Sequence, residues 1–234
     1  MSVFQFKHFS IVQDNSAMKV GTDAMLLGAF IETEGRKSGL DIGTGTGVLS
    51  LMLAQNNEVI LMDAVEIDPS SANEAKLNFE NSKWSNRLRI YNSDFLSFES
   101  QKQYDLIVSN PPYFSTTNEN MDIRKSQARH TSSLEIAPFI KKVSVMLTLN
   151  GDFWIIIPYI DFGLWLEQIK ANGLMISKRI DIVGKAGNAP IRCVLKMSLS
   201  FVDCQEFFFC IRQSDNSYSN EYIELTNEFH GTKL

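Results

Sequence analysis

From residue 38 onward, short apolar runs alternate with longer amphipathic stretches. Ser38–Ile42 reads as a buried strand running into the turn Gly43-Thr44-Gly45-Thr46-Gly47, and 48–56 reads as a helix with its apolar side inward. Residues 59–67 form a second apolar run, ended by Asp68-Pro69, and 70–83 has the spacing of an amphipathic helix. Residues 87–92 and 104–110 read as the third and fourth strands. The span 133–151 starts on Ser and stops on Gly151, which predicts a helix, and 152–158 is a fifth strand. Strands alternating with helices at this spacing require crossover connections, hence an α/β fold with a mostly parallel sheet covered on both faces.

The rhythm breaks near the end. Residues 174–183, 191–202 and 206–211 are strand-like, with no room for a helix between them. Such short connections predict antiparallel pairing, so the sheet is expected to finish on antiparallel strands. A short helix is expected within 218–229. No linker or internal repeat marks a boundary, and residues 1–234 are taken as one domain.

Composition narrows the class without naming it. The 234 residues are 44% apolar and 21% charged, an ordinary globular profile that excludes disorder and low complexity. Net charge is −5, unevenly spread: −5 over 1–99, +2 over 100–150, +2 over 151–200 and −4 over the remainder. A generally basic nucleic-acid coat is excluded, and only the middle of the chain is mildly basic. Cys193, Cys204 and Cys210 are odd in number and lack metal-site spacing. They read as core thiols in a reducing, cytoplasmic setting, with no metal. The first residues do not resemble a signal peptide, and no apolar run is long enough to span a membrane.

Two motifs carry chemistry. Alternating glycines between a strand and a helix permit a tight turn, close approach of a ligand to backbone, and use of the free N–H groups of a helix start. Dinucleotide-binding domains share this pattern. Glu66, at the end of the second strand, suits two ribose hydroxyls in either setting. Asp94 fits an adenine amine or a helix N-cap. The discriminating motif is Asn110-Pro111-Pro112-Tyr113 after the fourth strand. Two prolines make a rigid non-helical turn with outward carbonyls, Asn adds another acceptor, and Tyr adds a flat face. That set suits a planar base bearing an NH₂ group.

In this order the segments 41–47, 64–68, 92–94 and 104–113 resemble the S-adenosylmethionine-dependent amino-methyltransferases. With residues 18–28 and 124–131 added, the chain resembles the bacterial tRNA1(Val) (adenine(37)-N6)-methyltransferase family over most of its length. The resemblance implies a Rossmann-like methyltransferase fold whose seven-stranded sheet inserts its last strand antiparallel. It implies that Gly43, Gly45 and Gly47 pass the methionine part of the cofactor, with Asp41 and Asn110 also among the residues that bind it. Glu66 would then hold the ribose and Asp94 the adenine. Lys19, Gly21 and Thr22 would line the pocket from an N-terminal segment, 1–35, that closes it. Asn110 and Pro111 would grip the target amine, beside Pro112, with Tyr113 stacked on the base. The implied partner is a tRNA anticodon loop met by a monomer.

Arg124, Lys125, Arg129 and His130, downstream of the proline turn, are candidate phosphate contacts. Lys178, Arg179, Lys185 and Arg192 are expected to border the same C-terminal edge of the sheet; the plainer reading of both groups is solvated surface charge. Three other functions share parts of this sequence: an NAD-dependent oxidoreductase, a non-catalytic RNA-binding protein, and a methyltransferase acting on another RNA or a protein glutamine.

Overall fold

The computed structural model describes residues 2–14, 16, 19–111 and 136–231. A small antiparallel hairpin, β1 (Val3–Gln5) with β2 (Ser10–Val12), leads to helix α1 (Thr22–Phe30). The alternating part follows as β3 (Ser38–Ile42), α2 (Val48–Asn56), β4 (Leu61–Glu66), α3 (Pro69–Glu80), β5 (Leu88–Asn92) and β6 (Tyr104–Ser109). A helix through 136–146, α4, then precedes β7 (Leu147–Pro158), α5 (Phe162–Ala171), β8 (Met175–Lys185), β9 (Pro190–Ser198), β10 (Gln205–Arg212) and α6 (Asn220–Thr226).

The large sheet has the order β10-β8-β9-β7-β6-β3-β4-β5. The expected α/β architecture is present, with eight strands rather than seven. Only β9 runs against the others: it pairs antiparallel with both β7 and β8. The expectation of an antiparallel finish is therefore corrected at β10, which pairs parallel with β8 at the sheet edge. The β9–β10 connection passes over β8 instead of turning back as a hairpin.

One boundary also moved. The helix expected over 133–151 ends at 146, because Leu147 pairs with Tyr104 and draws the following residues into the sheet. The β6–β7 register shifts between Tyr104 and Leu106, and Gly151 lies inside a strand rather than ending a helix.

Apolar burial divides between the two faces. One face packs Leu51, Met52 and Leu53 of α2 and Ala75 and Phe79 of α3 with Leu26 and Leu27 of α1. The other packs Ile140 and Val143 of α4 with Trp165 and Ile169 of α5 against Ile107 and Ile155. The chain thus winds to one side through β3, β4 and β5 and to the other through β6, β7 and β8. The winding reverses between β3 and β6, and it is beyond the C-terminal strand ends at such a reversal that doubly wound sheets place their ligand crevice. Cys193 is buried, as expected of a core thiol; that expectation is corrected for Cys204, exposed just before the edge strand β10, and for Cys210, half-buried within it, because an edge strand is covered less completely. Among the described residues, no helix is long and apolar enough to cross a membrane.

A candidate ligand crevice where the sheet reverses

Strand register decides which side chains meet at the crevice. Ile42 pairs with Val65 on one side and with Ser109 on the other, and Glu66 pairs with Asn92. Gly43, Glu66, Ser93-Asp94 and Asn110 consequently leave four adjacent strands at one edge. The strand ends are stitched together there. The Val65 carbonyl accepts from the Gly43 and Thr44 N–H groups at 2.9 and 3.2 Å, and the Ser109 hydroxyl donates to the Ile42 carbonyl at 2.8 Å.

The glycine turn is held open by its backbone and by two acids. Gly43, Gly45 and Gly47 have φ of 68°, 58° and 84°, left-handed values that L side chains rarely adopt. Among the described residues, a Cβ on Gly43 or Gly45 would meet no atom within 4 Å, whereas one on Gly47 would lie 2.4 Å from Phe79 Cε1. No described residue crowds the first two glycines, and the third is a packing contact at the start of α2. The Gly45 N–H donates to Glu66 Oε2 at 2.8 Å, and Glu66 Oε1 accepts from the Asp68 N–H at 2.9 Å.

Asp41 lies beneath the turn with no exposed surface. Its Oδ2 accepts from the Thr44 hydroxyl at 2.6 Å and from the Ser50 hydroxyl and N–H at 2.8 and 3.2 Å. Among the described residues its buried Oδ1 has no hydrogen-bond partner, a costly state for a carboxylate oxygen. Burial raises this carboxyl to about 6, against the hydrogen bonds from Thr44 and Ser50, and the nearby Glu66 charge pushes in the same direction as burial. Open space over two glycines, an unpaired acceptor and two acids fit the amino-acid part of a positively charged ligand such as S-adenosylmethionine.

The remaining candidates are placed unevenly. Asn110 is half-buried and Pro111 buried at the end of β6, beside the glycine turn. Pro112, Tyr113, Arg124, Lys125, Arg129 and His130 lie outside the described residues. Asp94 is exposed and acts as a turn cap, accepting from the Leu96 N–H at 3.0 Å. Lys19 and Thr22 are exposed, and Gly21 is the residue before α1.

The expectation that four late cations border the same edge needs correction. Lys178 faces the α1 side, one row further from the crevice than Ser109, and pairs with Glu32. Arg179 faces α5, where Asp181 takes both its Nε and Nη2 at 2.8 Å and Phe162 covers it at 4.1 Å. Lys178 is paired at the surface, whereas the Arg179 charge is held within the fold. Arg192 is level with Pro158, at the crevice end of β7, and pairs with Asp23 of α1 at 2.8 Å. Lys185 is half-buried at the end of β8. Sequence reasoning did not find Thr44 and Ser50 as supports of Asp41, although both hydroxyls lie within nine residues of it.

Residues 12–159 match the methyltransferase small domain. A tRNA1(Val) (adenine(37)-N6)-methyltransferase of Tolumonas auensis is 38% identical over 97% of this chain and 96% of its own. One from Bacteroides fragilis is 38% identical over 97% of each chain. Among solved structures, a predicted O-methyltransferase from Agrobacterium tumefaciens superposes with a TM-score of 0.69 at 15% identity, covering 88% of this chain and 96% of its own. A ribosomal protein L11 methylase from Lactobacillus delbrueckii subsp. bulgaricus gives 0.54 at 17% identity, covering 75% and 76%. At such low identity the structures speak for the fold, and the crevice described above is where that fold binds its ligands.

Proposed function

This chain belongs to the tRNA1(Val) (adenine(37)-N6)-methyltransferase family, and on that premise we propose that it methylates the exocyclic N6 amine of adenosine 37 in the anticodon loop of tRNA1(Val), using S-adenosylmethionine. The observation that carries this reading is the juxtaposition at the sheet reversal. The Asn110-Pro111 turn leaves β6 directly beside the glycine turn of β3, with Ser109 Oγ tied to the Ile42 carbonyl at 2.8 Å. A group that offers acceptors to an amine thus adjoins a site suited to a cationic methyl donor.

When bound, S-adenosylmethionine supplies a methyl group activated by a sulfonium. Gly43 and Gly45 would leave room for its methionine part, Glu66 would accept from its ribose hydroxyls, and Asp41, buried beneath the turn, would act with Glu66 on its positive charge from behind the turn. Asp94 would contact the adenine. The segment 1–35 would close the pocket of a single-domain enzyme, with the exposed Lys19, Gly21 and Thr22 meeting the cofactor once it is bound.

An adenine amine is a poor nucleophile because its lone pair is delocalised into the ring. Asn110 Oδ1 and the Pro111 carbonyl accept its two N–H bonds, which favours a pyramidal nitrogen and the positive charge that develops on attack. Holding the amine aligned with the methyl removes much of the entropic barrier. Tyr113 stacks on the base, which leaves a single-stranded loop more easily than a duplex. Arg124, Lys125 and Arg129, with Lys185 and Arg192, supply phosphate contacts to an otherwise acidic monomer working in the cytoplasm.

The test presents labelled S-adenosylmethionine with tRNA1(Val), the same tRNA carrying guanosine at position 37, a total protein extract, and NAD as a competing ligand. N6-methyladenosine formed only in the first tRNA is the expected result. Label in protein glutamine, or NAD binding without methyl transfer, would overturn it.

A further inference from the structure

The two sides of the proposed pocket come from distant parts of the chain. One is the glycine turn at 43–47; the other is the N-terminal segment that carries Lys19, Gly21 and Thr22. They are joined through one side chain, Asn78 of α3, which is 3% exposed.

Asn78 uses both of its amide donors and its carbonyl acceptor. Its Oδ1 accepts from the Val12 N–H at 2.9 Å, and its Nδ2 donates to the Val12 carbonyl at 3.0 Å, so the amide pairs with β2 as a neighbouring strand would. The second Nδ2 hydrogen goes to the Thr46 carbonyl, inside the glycine turn, at 2.9 Å. The next residue, Phe79, fills the space that the missing Cβ of Gly47 leaves. The end of α3 therefore grips the turn and the N-terminal segment at once.

From β2 the connection continues. Gln13, 7% exposed, accepts the Val20 N–H on its Oε1 at 2.8 Å, next to Lys19 and Gly21. Glu74, one turn before Asn78 and 3% exposed, accepts from the Ser16 N–H and hydroxyl at 2.9 and 2.5 Å. A hydrogen-bonded path thus runs from Thr46 through Asn78, Val12 and Gln13 to Val20. Each step fixes backbone, and backbone placed by buried hydrogen bonds cannot shift without leaving a polar group unsatisfied.

We propose that Asn78 is a positioning residue for cofactor binding, setting the N-terminal segment in register with the glycine turn, and that Gln13 carries this register to Lys19 and Gly21. The proposal rests on the methyltransferase reading above. It assigns Asn78 no contact with cofactor or RNA.

The experiment measures S-adenosylhomocysteine binding by calorimetry, together with thermal melting, for the full chain and for Asn78→Ala, Gln13→Ala and Asn57→Ala. Asn57 is a matched control: it too is buried and makes several backbone hydrogen bonds, to the Thr33 and Arg36 carbonyls, at the opposite end of α2. Asn78→Ala should weaken binding by about tenfold or more and raise the KM for S-adenosylmethionine similarly. Its kcat at saturating cofactor should stay within about threefold, as expected when ground-state binding alone is lost. Asn57→Ala should lower the melting temperature and leave affinity alone. Affinity unchanged in Asn78→Ala, or lost equally in Asn57→Ala, would overturn the proposal. If Asn78→Ala does not fold, Gln13→Ala decides: weaker binding supports the path and unchanged binding refutes it. If the unaltered chain does not bind S-adenosylhomocysteine, the methyltransferase reading itself falls.

Discussion

The Glu66 carboxylate accepts the Gly45 N–H at 2.8 Å, so the acid that ends β4 holds the turn that ends β3. One side chain thereby shapes the backbone around a ligand and offers its remaining lone pairs to that ligand. Glu66→Ala removes both functions. It should weaken S-adenosylmethionine binding by on the order of 2 kcal/mol, with Glu66→Gln intermediate because its amide keeps one acceptor oxygen. Calorimetry on the folded variants checks this, and equal affinity in all three forms would place the ribose elsewhere.

The turn glycines should separate into two kinds. Alanine at Gly45 adopts a strained φ of 58°, at a cost of about 1–2 kcal/mol, and puts a methyl into the open space of the crevice. Alanine at Gly47 adds a collision with Phe79 to the same backbone strain. Gly45→Ala should therefore lose mainly cofactor affinity, and Gly47→Ala mainly stability, about 3 kcal/mol in all. Urea denaturation and calorimetry on both variants distinguish the two effects.

Asp41 ties stability to pH. Burial raises its carboxyl to about 6, so the folded chain keeps this proton better than the unfolded chain does. The contribution to stability is fully present below about pH 4 and is lost as the pH rises to about 6, by about 3 kcal/mol. Asp41→Asn cannot ionise. Relative to the unaltered chain, it should become more stable between pH 4.5 and 7.5 while binding S-adenosylmethionine less tightly. Urea denaturation at the two pH values tests the first half; parallel changes in both proteins would count against a raised Asp41.

Asn110 should act on the target amine and not on the cofactor. Asn110→Ala is expected to abolish methyl transfer to tRNA while leaving cofactor affinity within about threefold, the signature of an interaction made in the transition state. Asn110→Asp keeps an acceptor oxygen and should retain more activity than alanine. Single-turnover assays at saturating tRNA provide the comparison, and equal rates for Ala and Asp would remove Asn110 from the chemistry.

Local pattern alone determined the parts of this protein whose causes are local. The strands at 38–42 and 104–109 follow from apolar runs, the glycine turn from three residues that tolerate positive φ, and the position of Glu66 from a strand ended by Asp68-Pro69. Such features depend on neighbours a few residues away, and so they are legible in one dimension. Tertiary structure decided the rest. An apolar strand is equally satisfied beside several partners, so nothing in residues 190–212 states that β9 inserts between β7 and β8 or that β10 lies parallel at the edge. Lys178 looks free until Glu32, 146 positions away, is folded against it. Asn78 looks like an ordinary helix residue until Val12 and Thr46, 66 and 32 positions away, present backbone groups that its amide satisfies. Buried polar groups must find partners, and when those partners come from distant segments, only the folded chain reveals which side chains supply them.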